Sequence, residues 1–430
     1  MTGYVVVPEL RATPLDATGL PDGLLAESGD GRRWQVSRAT LELLELLSAC
    51  DSLEDAALRL EERWRVPVPV ERLRAYIDRD LIRTGLVRPA GGEPPRPRRR
   101  TSALSLRFRL LPPAVVGVLA APLTPLFAPA AFWPGFALAA TAAIWAAALM
   151  TWNASRLMAD VVAPPVLGLF VLSTLLHELG HAAATRRGGG EPGEIGFGVY
   201  LFFPVLYTSV DACWRLPRRN RIIVDLGGVY LQLLMALILI AGGMLWPEFA
   251  DTARAAFLAI AVSVIISAHP FLRLDGYWVI ADAFGLVNLR RQSLAALRNA
   301  AARLRDPRAP RRPPSLAQAD ARVVAAVLGY GVLSILFFGY LALAIGRTYP
   351  AYATNVYPGL LRLELSRLAA GLAGFEPLTI FSALVNLAAP TALVVGVPLL
   401  LVRPAVRFLA GRNWRGRAAS PAGRAPGGSR

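Results

Sequence analysis

Two histidines flanking a glutamate are the residues with the most to say about chemistry. His177-Glu178-Leu179-Gly180-His181 closes an apolar run. On a helix, residues four apart share a face, so both imidazoles can reach one metal ion and the intervening glutamate can reach a water held by it. A catalytic zinc site needs a third protein ligand and one open position. The candidate is Asp275, followed by Gly276, at the end of a later apolar run in the stretch His269 to Trp278. The bland alternative is a pair of polar residues capping a helix at a membrane interface. Ionisable side chains inside an apolar span are costly, however, and are by default functional.

The elements that would carry these residues are membrane spans. Hydrophobic residues make up 54% of the 430, charged residues only 18%, and the mean hydropathy is +0.44, a balance that excludes an ordinary soluble enzyme. Six stretches, at 132–152, 162–184, 222–246, 255–273, 322–346 and 377–402, are each close to the roughly 20 residues needed to cross a bilayer. The expected fold is thus an all-α polytopic membrane protein with about six transmembrane helices. Residues 104–130 are apolar too but carry Arg107, Arg109, Pro112, Pro113, Pro122, Pro125 and Pro129, so they read as interfacial or re-entrant. Arginines gather in 185–221, 274–321 and beyond 402, and are sparse in the opposite connections. The positive-inside rule then puts the chain in the cell membrane with both termini cytoplasmic. His177, His181 and Asp275 all fall at cytoplasmic span ends under this topology. The net charge of +16 is explained by topology, and no nucleic-acid partner is implied. The apolar, Gly-containing stretch 193–207 reads as a membrane-dipping hairpin or loop beside the site, since irregular backbone at that depth must line a cavity or be buried in protein.

The N-terminal part is different. Up to Arg88 there are 15 acidic and 12 basic residues, the balance of a small cytoplasmic domain. No signal peptide is visible. A hairpin is expected from Leu24 to Gln35 around Gly29-Asp30-Gly31. Ser37 then caps one helix, Asp51 or Ser52 opens a second, Val70 to Ile82 forms a third, and Gly85-Leu86-Val87 suits a closing strand. That outline is a winged-helix-like α+β domain. Gly91 to Arg100 reads as a basic linker against an anionic membrane surface. The expected divisions are 1–90, the N-terminal domain; 91–131, linker and interfacial segment; 132–402, the six-span domain; and 403–430, a basic disordered tail. Cys50 and Cys213 are the only cysteines and imply no disulfide framework. Asp225 and Gln232 are polar residues within the third span. Asp225 either orients a ligand histidine or pairs with Arg221, its i−4 neighbour. Asp211 is either a supporting acid or a plain loop residue.

HELGH in one span with Leu274-Asp275-Gly276 in a later one resembles the site-2 protease family of intramembrane metalloproteases. The stretches Tyr200 to Thr208, Trp214 to Arg219 and Pro270 to Trp278 resemble its bacterial peptide zinc metalloprotease branch. The resemblance covers 132 to about 285, with the last two spans alike only in hydropathy. It implies one Zn2+ held by His177, His181 and Asp275, a water activated by Glu178, and hydrolysis of a peptide or transmembrane-protein substrate within the lipid bilayer. The family asparagine before the Pro is replaced here by His269, which would either hold substrate or polarise the scissile carbonyl in its stead, or replace Asp275 as the third zinc ligand. The N-terminal domain is similar to PqqD-like domains, which implies a modified-peptide precursor as its ligand. An alternative is a catalytically silent membrane receptor or export and maturation partner for such a peptide, and a third is a hydrolase of a non-peptide bond.

Overall fold

Alternating and 3.6-residue apolar periodicities divide the chain into a small strand-containing N-terminal region and a mostly helical remainder. The computed structural model describes residues 3–16, 23–29, 32–91, 104–150, 164–200, 203–286, 288–308, 313, 316 and 319–417. In the N-terminal region β1 (Tyr4–Val6) pairs antiparallel with β5 (Val87–Pro89). β2 (Arg11–Pro14), β3 (Gly23–Glu27) and β4 (Arg33–Ser37) form a three-stranded antiparallel sheet in that order. The expected hairpin is therefore present, although Asp30 and Gly31 at its tip lie outside the described residues. Ser37 accepts from the Thr40 amide to cap α1 (Arg38–Ala49), and Ser52, not Asp51, accepts from the Asp55 amide to cap α2 (Leu53–Trp64). α3 (Val70–Tyr76) runs on through a π-helical turn at Ile77–Leu81 to Thr84, and Gly85 ends it with φ +80°. Leu43, Leu44, Leu47, Leu60 and Ile77 close the core.

The proposed linker falls mostly on residues 92–103, outside the described residues. The apolar segment after it is not one interfacial stretch: Leu104–Leu111 is a strand, β6, because its sequence alternates with period two. β6 pairs with β7 (Ile195–Tyr200), and β7 with β8 (Phe203–Thr208), which is the hairpin expected at 193–207. Pro113 then opens the short helix α4 (Pro113–Ala120), and Ala121–Phe127 tightens to 3-10 geometry around Pro122 and Pro125. No helix of spanning length forms between Pro113 and Phe127.

Among the described residues six helices are long and apolar enough to cross a membrane. They are α5 (Pro129–Leu149), α6 (Pro164–Arg187), α7 (Arg218–Leu245), α8 (Ala250–Ser267) with its leading turn Pro247–Phe249, a continuous helix Ala321–Ala373, and the stretch Pro377–Leu399. Between α8 and the last two spans lie α9 (Asp275–Ala283) and α10 (Leu289–Arg305). The connection expected at 347–376 is almost entirely helical. α11 (Ala321–Ala351) passes through a π-helical turn at Tyr352–Val356 into α12 (Tyr357–Ala373), which is rich in Leu, Arg and Ala. Together they are about 80 Å long, more than twice a bilayer core of ~30 Å, so only part can span. α13 (Pro377–Arg417) folds back on α12 and also corrects the expected tail: residues 403–417 are helical. Residues 418–430 lie outside the described residues.

α7 is the central helix, with 67% of its most apolar stretch buried in protein against 17–44% for the other five. Tyr230 packs among Phe127, Phe132 and Phe136 with ring centroids 5.9, 5.2 and 6.1 Å away. On its other side α7 meets α6 with Gly180 against Gly227, so closely that a methyl group on either would overlap the other's carbonyl. Small residues at such a crossing let two backbones approach without a hydrophobic driving force, which lipid does not supply.

The N-terminal region is tied to the start of α7 by charge. Asp16 accepts from the Arg218 amide at 3.1 Å and side chain at 3.2 Å. Glu27 pairs with Arg215 and Arg33, and Arg33 reaches Asp211 at 3.2 Å. This assigns Asp211 to docking. The hydrogen bond from Arg215, helped by Arg33, holds the Glu27 carboxyl below its ordinary range despite partial burial. A lowered folded-state pKa contributes stability above the ordinary carboxylate value and loses it as pH falls through the lowered one. Acid should therefore loosen this contact while neutral to alkaline pH leaves it intact, which hydrogen exchange at Gly23–Glu27 across a pH series would read.

A Gly180→Ala substitution is expected to cost at least the ~1–3 kcal/mol typical of overpacking, because the obstacle is backbone that cannot rotate away. Thermal unfolding of the purified protein in detergent checks this, and a melting temperature equal to wild type would contradict the close α6–α7 contact.

Candidate metal centre

α6 presents His177 and His181 one turn apart toward α7, with ring centroids 4.7 Å apart and planes at 79°. Asp275 comes from the first position of α9, after Leu274 in extended conformation. Its Oδ2 lies 3.0 Å from His177 Nε2 and its Oδ1 3.5 Å from His181 Nε2. The two Nε2 atoms are 3.1 Å apart. Among the described residues these three form the group of His, Cys, Asp and Glu donors able to share a metal ion.

The other nitrogen of each ring decides what the facing atoms are. His181 Nδ1 lies 2.7 Å from the Val224 carbonyl oxygen, and His177 Nδ1 lies 2.9 Å from Gln232 Oε1. A carbonyl oxygen only accepts, so each Nδ1 carries a proton, and in the neutral form of each ring the lone pair is then at Nε2, facing inward. The Gln232 orientation agrees, since its amide nitrogen then faces Ser173 Oγ and Ser263 Oγ at 3.5 Å. Asp275 Oδ2 is buried and receives no hydrogen bond from the described residues. Two lone pairs and a carboxylate within 3.0–3.5 Å of one another repel unless a cation lies between them. Tetrahedral donors at zinc distances of ~2.0–2.1 Å are separated by roughly 3.3–3.4 Å. The donor set therefore fits a zinc ion in both chemistry and spacing.

α7 supplies both carbonyl partners, and its glycines make room for the rings. A methyl group on Gly228 would strike the His177 imidazole. Glu178 is buried on the same helix as the histidines. Its backbone carbonyl accepts from Thr208 Oγ1 at 3.0 Å, so the end of β8 is tied beside it, as expected for that hairpin.

His269 is not part of the three-donor group. It follows α8 in the turn leading to Asp275, and its ring stacks near Phe337 and Phe271 at 4.4 and 5.6 Å. Its Nδ1 accepts from the Phe271 amide at 3.3 Å, which leaves the proton of the neutral ring on Nε2 as a donor.

Asp225 fits neither expected role. Arg221 turns instead to Asp282, with Nε donating at 2.8 Å, and His177 and His181 are held by Gln232 and the Val224 carbonyl. The ion pair across two helices wins over the i, i+4 pair because Asp282 comes from α9, directly against this end of α7, and Asp225 itself lies against Asp282. Arg221 also donates to the carbonyls of Asp16 and Leu216 at 2.9 and 3.3 Å. The sequence marked Gln232 as a polar residue in a span but carried no signal of its partner. A backbone acceptor such as Val224 leaves no trace in residue type at all.

No family model matches the chain, and no solved structure matches it. Over 115 residues, 26% of this chain, it is 28% identical to the Bacillus subtilis (strain 168) protein named "Putative peptide zinc metalloprotease protein YydH". The match spans 44% of that protein's length. This supports a zinc metalloprotease-like relationship for the chain.

Replacing Gln232 with Leu removes the acceptor that fixes His177. Metal affinity is expected to fall ~10- to 100-fold, as for other partners of ligating histidines, measured by competition with a chromogenic chelator. Asp275→Ala should lose the metal, whereas His269→Asn should keep it. The reverse result in metal analysis would make the site a three-histidine one.

Proposed function

We propose that the chain is an intramembrane zinc metallopeptidase of the site-2 protease type, with His177, His181 and Asp275 as ligands and Glu178 as general base. The observation that supports this most is the pair of Nε2 lone pairs and the undonated Asp275 oxygen converging while both Nδ1 protons are committed to α7. Zinc bound there supplies Lewis-acid polarisation and a water whose pKa is lowered toward ~7. Glu178, adjacent to His177 in the chain and one turn from His181, takes the proton of the attacking water and returns it to the departing amine. Gln232 and the Val224 carbonyl keep the imidazoles in the tautomer that leaves Nε2 unprotonated. His269 Nε2–H serves as a donor to the carbonyl being attacked, the role of the asparagine it replaces. A substrate helix must unwind locally, because a helical peptide group is already hydrogen-bonded. Strand β8 pairs on one side only among the described residues and can take an extended backbone beside Glu178.

In this reading the six long helices cross the cell membrane with both termini cytoplasmic, which places the charged docking surface of the N-terminal region at the cytoplasmic mouth of the site. That region is a winged-helix, PqqD-like domain that captures a peptide, such as a modified-peptide precursor, for maturation.

Glu178→Gln should retain one zinc per chain and lose peptide cleavage by ~10²- to 10⁴-fold, the usual contribution of a general base. Metal analysis and mass spectrometry of a peptide digest test the two halves separately. Wild-type turnover in this variant would rule out the mechanism.

A further inference from the structure

Beside Asp275 lies a cleft of about 250 Å³. Its walls are Leu226 and Val229 of α7 and Val279 and Ile280 of α9, with Ala268 and Pro270 at the turn between α8 and α9. Leu226 and Val229 are one turn apart, as are Gly276 and Ile280, so each helix contributes one apolar face. Gly276 seats the first turn of α9 directly on the Ala268 backbone, where a side chain would overlap it. Among the described residues Asp275 is the one charged member of the lining, and its carboxylate faces the two histidines.

We propose that this cleft is the specificity subsite of the enzyme: it takes one bulky apolar side chain of a peptide, Leu or Phe in size, next to the bond that is cut. This rests on the peptidase reading above. Continuity carries the argument, because the cleft and the ligand group share Asp275. A peptide side chain held there brings the carbonyl of its own or the adjacent residue, ~3.8 Å along the chain, to the donors. An apolar cavity of ~150 Å³ already holds benzene, so about 250 Å³ has room for a Leu or Phe side chain. An ionised acidic side chain buried against these apolar walls meets no lining side chain that could donate to it, so its burial is unfavourable. Basic and amide side chains find no lining partner apart from the Asp275 carboxylate, which the metal occupies, so their burial is unfavourable. Small side chains leave the apolar walls uncovered and bind roughly 10- to 200-fold more weakly.

The test reads occupancy without turnover. Val279→Cys is placed in full-length, zinc-loaded protein that also carries Glu178→Gln, and labelling with N-ethylmaleimide is timed. Leu226→Cys on the opposite wall serves as a second reporter should the first variant lose zinc. The native Cys50 and Cys213 are buried, and their labelling in the parent protein is subtracted. The probes are nonapeptides of Ala, Gly and Ser with Leu, Phe, Ala or Asp at the centre, and dodecanoate. Protection by the Leu and Phe peptides at concentrations at least ~10-fold below those needed for Ala, with none from Asp, is the expected result. Equal protection by all peptides, protection by none, or protection by dodecanoate alone overturns the subsite; the last would make the cleft a lipid-tail crevice. Wild-type protein is incubated with the Leu peptide in parallel. Side-chain-dependent protection without cleavage keeps the cleft and removes the peptidase reading, whereas cleavage without such protection does the opposite.

Discussion

Two neutral imidazoles can face each other with bare lone pairs only if each has an acceptor for its remaining proton, and in the protein interior that acceptor must be built in. Here one helix provides both, through the Val224 carbonyl and the Gln232 side chain. Neither reaches its histidine unless α6 and α7 approach to the distance that Gly180, Gly227 and Gly228 allow. Helix crossing, tautomer and donor geometry are therefore one constraint. The burial of α7 follows from it, since a helix that must meet α6 on one side is enclosed by α5, α8 and α9 on the others.

The third donor depends on a different anchor. α9 is only nine residues long and carries Asp275 at its start and Asp282 near its end. Arg221, 2% exposed, holds Asp282 and also donates to the Asp16 carbonyl of the N-terminal region. A buried guanidinium with ion-pair and carbonyl partners is costly to deprive of any of them. The docking surface and the helix bearing Asp275 thus share one side chain. The aromatic face of Trp214, 6.0 Å from the guanidinium, adds to its enclosure.

Much of the candidate site was legible in the sequence because its signals are local. HExxH encodes a shared helix face, the Asp-Gly after an apolar run marks where a helix begins again, and hydropathy located six long helices. What was not legible depends on contacts between distant segments. Asp225 and Arg221 have ideal i, i+4 spacing, yet Arg221 turns to a carboxylate 61 residues away. The prolines that follow Leu104–Leu111 point to irregular backbone, whereas its alternation needs only the partner strand β7, more than 80 residues on, to become a sheet. The helical continuation at 347–376 is invisible to hydropathy, which marks the apolar part of a helix and not its polar extension.

The three donors of the candidate metal centre are unequally distributed along the chain. His177 and His181 share a helix, but Asp275 follows His181 by 94 residues, beyond two further apolar helices. During synthesis, at about 5–20 residues per second, the histidine helix enters the membrane several seconds before its carboxylate is made. Throughout that interval the nascent chain carries two histidines and a glutamate but no complete set of ligands. Assembly order therefore sets when the group can form: the three donors cannot meet until four of the six long helices have been delivered, and a chain ending before α9 lacks the carboxylate altogether.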